Sequence, residues 1–376
     1  MKKIAILTIN DYQNYGNRLQ NYATQEVLKT LGFSVETIVN STMLKKQNNK
    51  NKIIDRINNL RRMTTKERYR RITSMLLKYL YKRKIENNKA KRIESFKNFT
   101  KNCILETKYT ISVDNIPDTL ATKFDYFITG SDQVWNPFIK QGTSIYFLTF
   151  AQKIKRIAYS PSFGVSEIPS KYIENYKVWL SEMSKLSVRE NSGSAIIRKL
   201  TGRDAIVLID PTLMLTKEKW ISISKRASNK PKKEFLLKYI LGTSSHDYKR
   251  IIKKIAKEND LKIVNLADIK DKENYKVDPS EFIDYINSAS IVCTDSFHAC
   301  IFSILMETPL IVFDRIGTLS MNSRIDTLLS TFKLESRLLK NIKTNEQIFN
   351  VDYSHVASIL EFERNKAINY LKEALN

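Results

Sequence analysis

Short, wholly apolar stretches alternate with stretches of helical periodicity along most of the chain, and few folds accommodate that rhythm. Residues 3–8, 33–39, 126–129 and 157–160 read as strands in the first half. Residues 186–188, 205–209, 235–241, 262–266, 291–294 and 310–313 continue the series in the second. Helical patterns fall between them at 16–31, 169–184, 194–200, 248–258, 281–288 and 299–306, with Gly32 as the stop of the first. Strands that are apolar throughout are buried on both faces, which is the condition of a parallel sheet covered by helices on each side. The pattern predicts an α/β protein. A chain of 376 residues is long enough for two such domains. We place them at 1–184 and 185–352, with an amphipathic final helix in 353–376 packing back.

One segment breaks the rhythm. From Lys45 to Lys101 the chain carries 20 Lys/Arg against 4 Asp/Glu, an imbalance that marks an interaction surface or a solvated face. Ile72, Met75, Leu76, Tyr79 and Leu80 form one helical stripe, and Ile53, Ile57 and Leu60 a shorter one. The segment therefore predicts two or three basic amphipathic helices inserted in the first domain. It could dock on an anionic membrane surface, or the stripes could pack on the protein and leave the basic face wet. The net charge of +24 attracts polyanions but does not bear on fold. No nucleic-acid-binding signature accompanies it, so no nucleic acid partner is expected.

The longest apolar run, at 299–306, is far short of the roughly 20 residues a membrane span needs. The opening apolar stretch ends at Asn10-Asp11, too early for a signal peptide, and reads better as a strand. Cys103, Cys293 and Cys300 are widely spaced and form no CxxC pair, which argues against a disulfide framework or a structural zinc. These features predict a cytoplasmic protein, peripheral at the inner membrane face if the basic segment docks there.

Ligands of open parallel sheets sit beyond the carboxyl ends of the strands, and four polar segments fall there. The first, Asn10 to Asn17, puts Gly16 and Asn17 at the start of a helix, where free backbone N–H groups favour an anion; simple capping by Asn17 is the other reading. The second, Thr129 to Pro137, offers Gly130 for close backbone approach, Ser131 and Asp132 as polar groups, and Trp135 as a sugar-facing wall or a core residue. The third, Leu186 to Glu190, holds Ser187 and Arg189, whose planar fork suits a carboxylate or phosphate unless Glu190 occupies it. The fourth, Cys293 to Ala299, brings Asp295, Ser296, Phe297 and His298 to a strand-to-helix junction. Histidine can serve as acid or base near neutral pH. Dinucleotide, Walker-type, nucleophile-elbow and zinc-helix motifs are missing, and nothing suggests a metal or a cofactor.

Taken in order, NYGNRLQNYATQEVLKTLG, FDYFITGSDQVWNP, RIAYSPSFG, LSVRENSG, VLIDPTLML and DSFHACIFSILMETPLIVF resemble the polysaccharide pyruvyl transferase family. The resemblance spans about residues 1–315, less the basic insertion. It implies two Rossmann-like domains facing across a cleft, as in glycosyltransferase-B enzymes, with phosphoenolpyruvate as donor bound on the second domain. It further implies a lipid-linked or nucleotide-linked sugar as acceptor, a pyruvate ketal on a surface or capsular glycan precursor as product, and Arg189 and His298 as donor-contacting, catalytic residues. The family commonly has an aspartate after the motif arginine, where this chain has Glu190. A nucleotide-sugar glycosyltransferase of the same architecture is the alternative; it would bind a nucleotide sugar and ignore phosphoenolpyruvate. A non-enzymatic polyanion-binding protein is a further one.

Overall fold

A computed structural model describes residues 1–42, 65–138, 143–316 and 323–376, with side chains throughout except at 65–80. Strands β1 (Lys3–Leu7), β2 (Ser34–Asn40), β3 (Glu106–Ile111), β4 (Tyr126–Thr129) and β5 (Arg156–Ala158) form a parallel sheet in the order β3-β2-β1-β4-β5. Strands β8 (Phe235–Tyr239), β9 (Lys262–Asn265), β10 (Ile291–Thr294) and β11 (Leu310–Val312) form a second, in the order β11-β10-β8-β9. Between them in sequence, β6 (Ser187–Val188) and β7 (Ile206–Val207) pair in parallel. The helices are α1 (Tyr15–Thr30), α2 (Thr65–Cys103), α3 (Ile173–Ser181), α4 (Asn191–Thr201), α5 (Pro211–Met214), α6 (Lys217–Ile223), α7 (His246–Glu258), α8 (Lys272–Tyr275), α9 (Pro279–Ser288), α10 (Phe297–Met306), α11 (Ser323–Thr331), α12 (Asn345–Phe349) and α13 (Val356–Leu375). This is the two-sheet α/β architecture expected.

The order of the first sheet reverses between β1 and β4, and that of the second between β8 and β10. Such switch points open crevices at the carboxyl ends of the strands. The central strands earn their place by composition: Ile4–Leu7 and Ile291–Thr294 are buried on both faces, as apolar parallel strands must be.

The division of the chain at 184/185 does not coincide with a division between sheets. Lys185 bridges Ile157, and the Ala158 N–H donates to the Lys185 carbonyl at 3.0 Å. That bridge ties the segment before β6 to β5, while β6 and β7 form a two-stranded sheet of their own and the four-stranded sheet begins at Phe235. Position along an alternating pattern does not reveal which neighbour a strand pairs with.

Helix α1 is buried almost all round because it lies between the lobes. Tyr15 stacks on Phe282 of α9 at 4.1 Å between ring centres, and its hydroxyl donates to the Val277 carbonyl at 3.0 Å. Gly32 ends the helix segment with a positive φ of 87°, a conformation glycine adopts without penalty. Helix α13 returns to the first sheet. Arg364 donates to the Leu213 and Leu215 carbonyls, both at 2.7 Å, and Tyr370 to the Ala158 carbonyl at 2.6 Å.

The described part of the basic insertion is one 39-residue helix, Thr65–Cys103. The stripe at Ile53, Ile57 and Leu60 lies outside the described residues, and that from Ile72 to Leu80 falls where side chains are not described. The last turns of α2 are core: Phe96 and Phe99 are buried. Arg92, also buried, donates to the carbonyls of Gln13 (2.9 Å) and Tyr275 (2.6 Å) and to the Tyr15 hydroxyl (3.1 Å). Its guanidinium also lies over the rings of Tyr15, Phe96 and Tyr275 at 4.4–4.8 Å, contacts each worth about 0.5–2 kcal/mol. One arginine thus joins the helix to both lobes. No helix among the described residues is long and apolar enough to cross a membrane.

Candidate functional site

Each polar segment singled out in the sequence lies at a strand's carboxyl end, and the fold turns most of them toward one point. That point is Asp210, just beyond β7. It is fully buried and caps the short helix α5, accepting from Thr212 N at 3.0 Å and Thr212 Oγ1 at 2.6 Å, with Pro211 at the first helical position. Its other oxygen, Oδ2, accepts from Arg189 Nη1 at 2.6 Å and from Ser131 Oγ at 2.6 Å. His298 Nε2 stands 3.5 Å from the same oxygen. Burial alone would raise the Asp210 carboxyl, but the His298 imidazole and the Arg189 guanidinium outweigh it and hold the group well below the usual carboxylate range.

Arg189 follows β6 and is 3% exposed. Its guanidinium lies 4.3 Å over the Phe297 ring. Nη1 also reaches Ser131 Oγ at 3.1 Å, whereas Nε and Nη2 make no hydrogen bond; Nη2 is 3.8 Å from Asp132 Oδ1. Two donors of a buried, permanently charged fork are thus available to a ligand. Glu190 does not occupy them. Its Oε1 accepts from Ser162 Oγ, Phe163 N and Gly164 N at 2.9, 2.8 and 3.2 Å, anchoring the loop after β5.

A second guanidinium stands close by. Arg324, at the start of α11, lies 5.8 Å from the Phe297 ring. With the Gln133 amide turned to present its oxygen, Arg324 donates to it at 3.0 and 3.2 Å. Burial first, and then repulsion from Arg189, push Arg324 down to about 10. Glu190 and Asp132 act on Arg324 in the opposite sense, so the two guanidiniums stand among carboxylates that offset part of their charge.

His298 is the second residue of α10, whose cap is Ser296, with its hydroxyl accepting from Ala299 N at 3.5 Å. The Nδ1 edge of its ring rests against Gly16, where a methyl group would overlap the imidazole. Gly16 N donates to Asn14 Oδ1 at 2.9 Å, so Asn14 is the cap of α1 and not Asn17. Asn17 instead donates to Asp132 Oδ2. Asp132 has a φ of 89°, left-handed backbone that costs about 1–3 kcal/mol in a non-glycine residue. The strain is held beside Arg189. Gly16→Ala is expected to leave the fold intact and push the imidazole aside. Turnover should fall at least about 10-fold, the scale a slight misplacement produces, and an unchanged rate in steady-state assays would show that the ring's seat is unimportant.

Other candidates lie elsewhere. Ser187 is tied to backbone: it donates to the Ala158 carbonyl at 2.7 Å and accepts from Ser160 N at 3.0 Å, joining β5 to β6. Gly130 continues the β4 ladder, donating to the Leu7 carbonyl at 3.0 Å. Asp295 accepts from Leu241 N and Gly242 N at 2.7 and 2.8 Å and pairs with Arg315 at 3.3 Å, closing the second switch point instead of the Asp210 cluster. Trp135 is core, stacked on Phe147 at 5.0 Å with its Nε1 donating to the Tyr146 carbonyl at 3.1 Å. Asp210 and Arg324 were not singled out in sequence. The Ile-Asp-Pro run after a strand could have pointed to Asp210 as a cap; Arg324 carries no local signal.

With this geometry in hand, the chain can be set against known proteins. A family model described as polysaccharide pyruvyl transferase matches residues 14–316. The chain belongs to that family. The match covers the cluster residues from Gly16 to His298 and ends before Arg324, α11 and α13. No curated protein matches this pyruvyl transferase family member. Among solved structures, a putative UDP-N-acetylglucosamine 2-epimerase from Listeria monocytogenes is 8% identical, with a TM-score of 0.49 over 98% of this chain and 91% of that one. UDP-GlcNAc 2-epimerase from Neisseria meningitidis is 10% identical, with a TM-score of 0.44 over 100% and 99%.

Proposed function

We propose that this transferase moves the pyruvyl group of phosphoenolpyruvate onto two hydroxyls of a sugar, forming a ketal on a precursor of a surface or capsular glycan and releasing phosphate. The observation that carries the reading is the meeting of Arg189 and His298, from separate strand ends, on Asp210 Oδ2 at 2.6 and 3.5 Å. Membership of the family supports it.

The donor is a trianion at most, and Arg189 with Arg324 supplies two positive charges beside Phe297. A fork donating through Nε and Nη2 matches a carboxylate or phosphate edge. His298 gives its proton to the enol methylene, which becomes a methyl group and leaves the adjacent carbon as an oxocarbenium. The first sugar hydroxyl bonds to that carbon and its proton passes back to His298. The carbon–oxygen bond to phosphate then breaks, phosphate keeping the electron pair. The second hydroxyl closes the ketal, and its proton goes to the departing phosphate. Asp210 orients both catalytic side chains and stays ionised throughout. The acceptor sugar is carried on lipid or nucleotide. The basic segment 45–101, which exposes Lys82, Arg83 and Lys84, is the face that would meet an anionic inner membrane.

Phosphate release from phosphoenolpyruvate, with and without candidate acceptors, tests the reaction. Arg189→Lys should raise the apparent KM for phosphoenolpyruvate about 10-fold or more, because an ammonium cannot reproduce the fork. An unchanged KM for the donor would sink the clamp.

A further inference from the structure

Beside the Arg189–Asp210 pair lies a cavity of about 140 Å³ that reaches out to the C-terminal helix. Its floor is apolar: Leu208, Ile209 and Leu213 come from the first lobe, and Leu328 and Phe332 from the second. Its polar lining is Asn191, Thr327, Thr331, Glu363 and Lys366. Four of these five, with Leu328 and Phe332, lie beyond residue 316, outside the stretch matched to the family, whereas Phe297, which also lines the cavity, lies within it.

The charge in this cavity is balanced. Arg189 faces Asp210 at 2.6 Å, and Lys366 faces Glu363 at 3.3 Å. With Lys366 matched by Glu363, the outer part of this lining does not favour a charged ligand over a neutral one. The hydroxyls of Thr327 and Thr331 donate to the Ser323 and Thr327 carbonyls, both at 2.8 Å, so they have acceptor capacity left for a ligand. Lys366 and Asn191 supply donors. An apolar floor lined by alternating donors and acceptors suits a ring that is C–H on its face and hydroxyl on its edge.

We propose that this cavity is the acceptor subsite, taking one neutral pyranose ring, with α11 and α13 as its outer wall. The inference rests on the transferase reading. The donor then lies on the far side of Arg189, toward Arg324 and His298, and the ring's hydroxyls arrive next to the Arg189–Asp210 pair.

Saturation-transfer NMR with methyl glycosides of glucose, galactose and mannose reads the ring directly. At least one should receive saturation from the wild-type protein, and Thr331→Trp, which fills the cavity, should abolish it. Phosphoenolpyruvate affinity, measured by calorimetry, should change less than about 2-fold in the same variant, since the anion contacts are untouched. If Thr331→Trp does not fold, Lys366→Met removes a rim donor without adding bulk and should weaken the glycoside signal at least 3-fold. The proposal is overturned if no glycoside binds the wild type, if the signal survives both variants, or if filling the cavity abolishes phosphoenolpyruvate binding. A wild type that binds a glycoside but not phosphoenolpyruvate would leave the subsite standing and remove the donor assignment.

Discussion

His298→Ala should lower the rate of phosphate release by about 100-fold or more, the scale expected when a positioned proton carrier is lost. The apparent KM for phosphoenolpyruvate should move little, because the guanidiniums of Arg189 and Arg324 remain. The substitution removes the ring that rests on Gly16 and leaves a space beside Asp210. Added imidazole should therefore restore part of the rate, whereas methylimidazoles too wide for that space should not. His298→Gln should keep a side chain opposite Asp210 yet stay slow, separating proton transfer from simple packing. Near-normal turnover in either folded variant would remove His298 from the reaction.

Asp210→Ala should be the most destabilising single change in the cluster. It strands Arg189, whose side chain is 1% exposed, without the carboxylate 2.6 Å away, and strips the cap from α5. Breaking a buried pair from one side costs about 3–5 kcal/mol, and loss of a cap about 1 kcal/mol more. Asp210→Asn keeps the shape and isolates the charge. The Asp210 carboxyl ionises more readily in the folded protein than in the unfolded chain. Its stabilisation is therefore complete above the ordinary aspartate value of about 3.9 and declines as pH falls below it. Urea titrations of the wild type from pH 7 to pH 3 should show a steeper acid loss than those of Asp210→Asn. Parallel acid limbs would mean that the native ion pair contributes nothing.

The comparison of sequence with structure divides along a physical line. Strands buried on both faces were legible because burial leaves no choice of residue: Ile4–Leu7 and Ile291–Thr294 could be read as they stand. Strand β3 was missed, since Glu106 to Ile111 mixes polar and apolar residues at the sheet's edge, where only part of the strand is buried. The separate pairing of β6 with β7 was likewise not legible, because pairing partners are a long-range property. Arg189 and His298 were visible as unusual residues at strand ends. Their shared partner was not, because Asp210 looks like an ordinary cap. The backbone bonds of the Ser187 hydroxyl, two residues before Arg189, were not legible either, because they depend on the neighbouring strand.

The position of Arg92 has one more consequence. Its guanidinium is a three-way joint, bonded to the turn before α1, to the aromatic wall of α2 and to the segment ahead of α9. The two lobes cannot swing apart about their crossover without pulling on that joint, and the far end of the same helix runs out into the most cationic stretch of the chain. What looks in sequence like ornament hung on an enzyme is built into its frame, so trimming it away would unpin the halves rather than merely shave the surface.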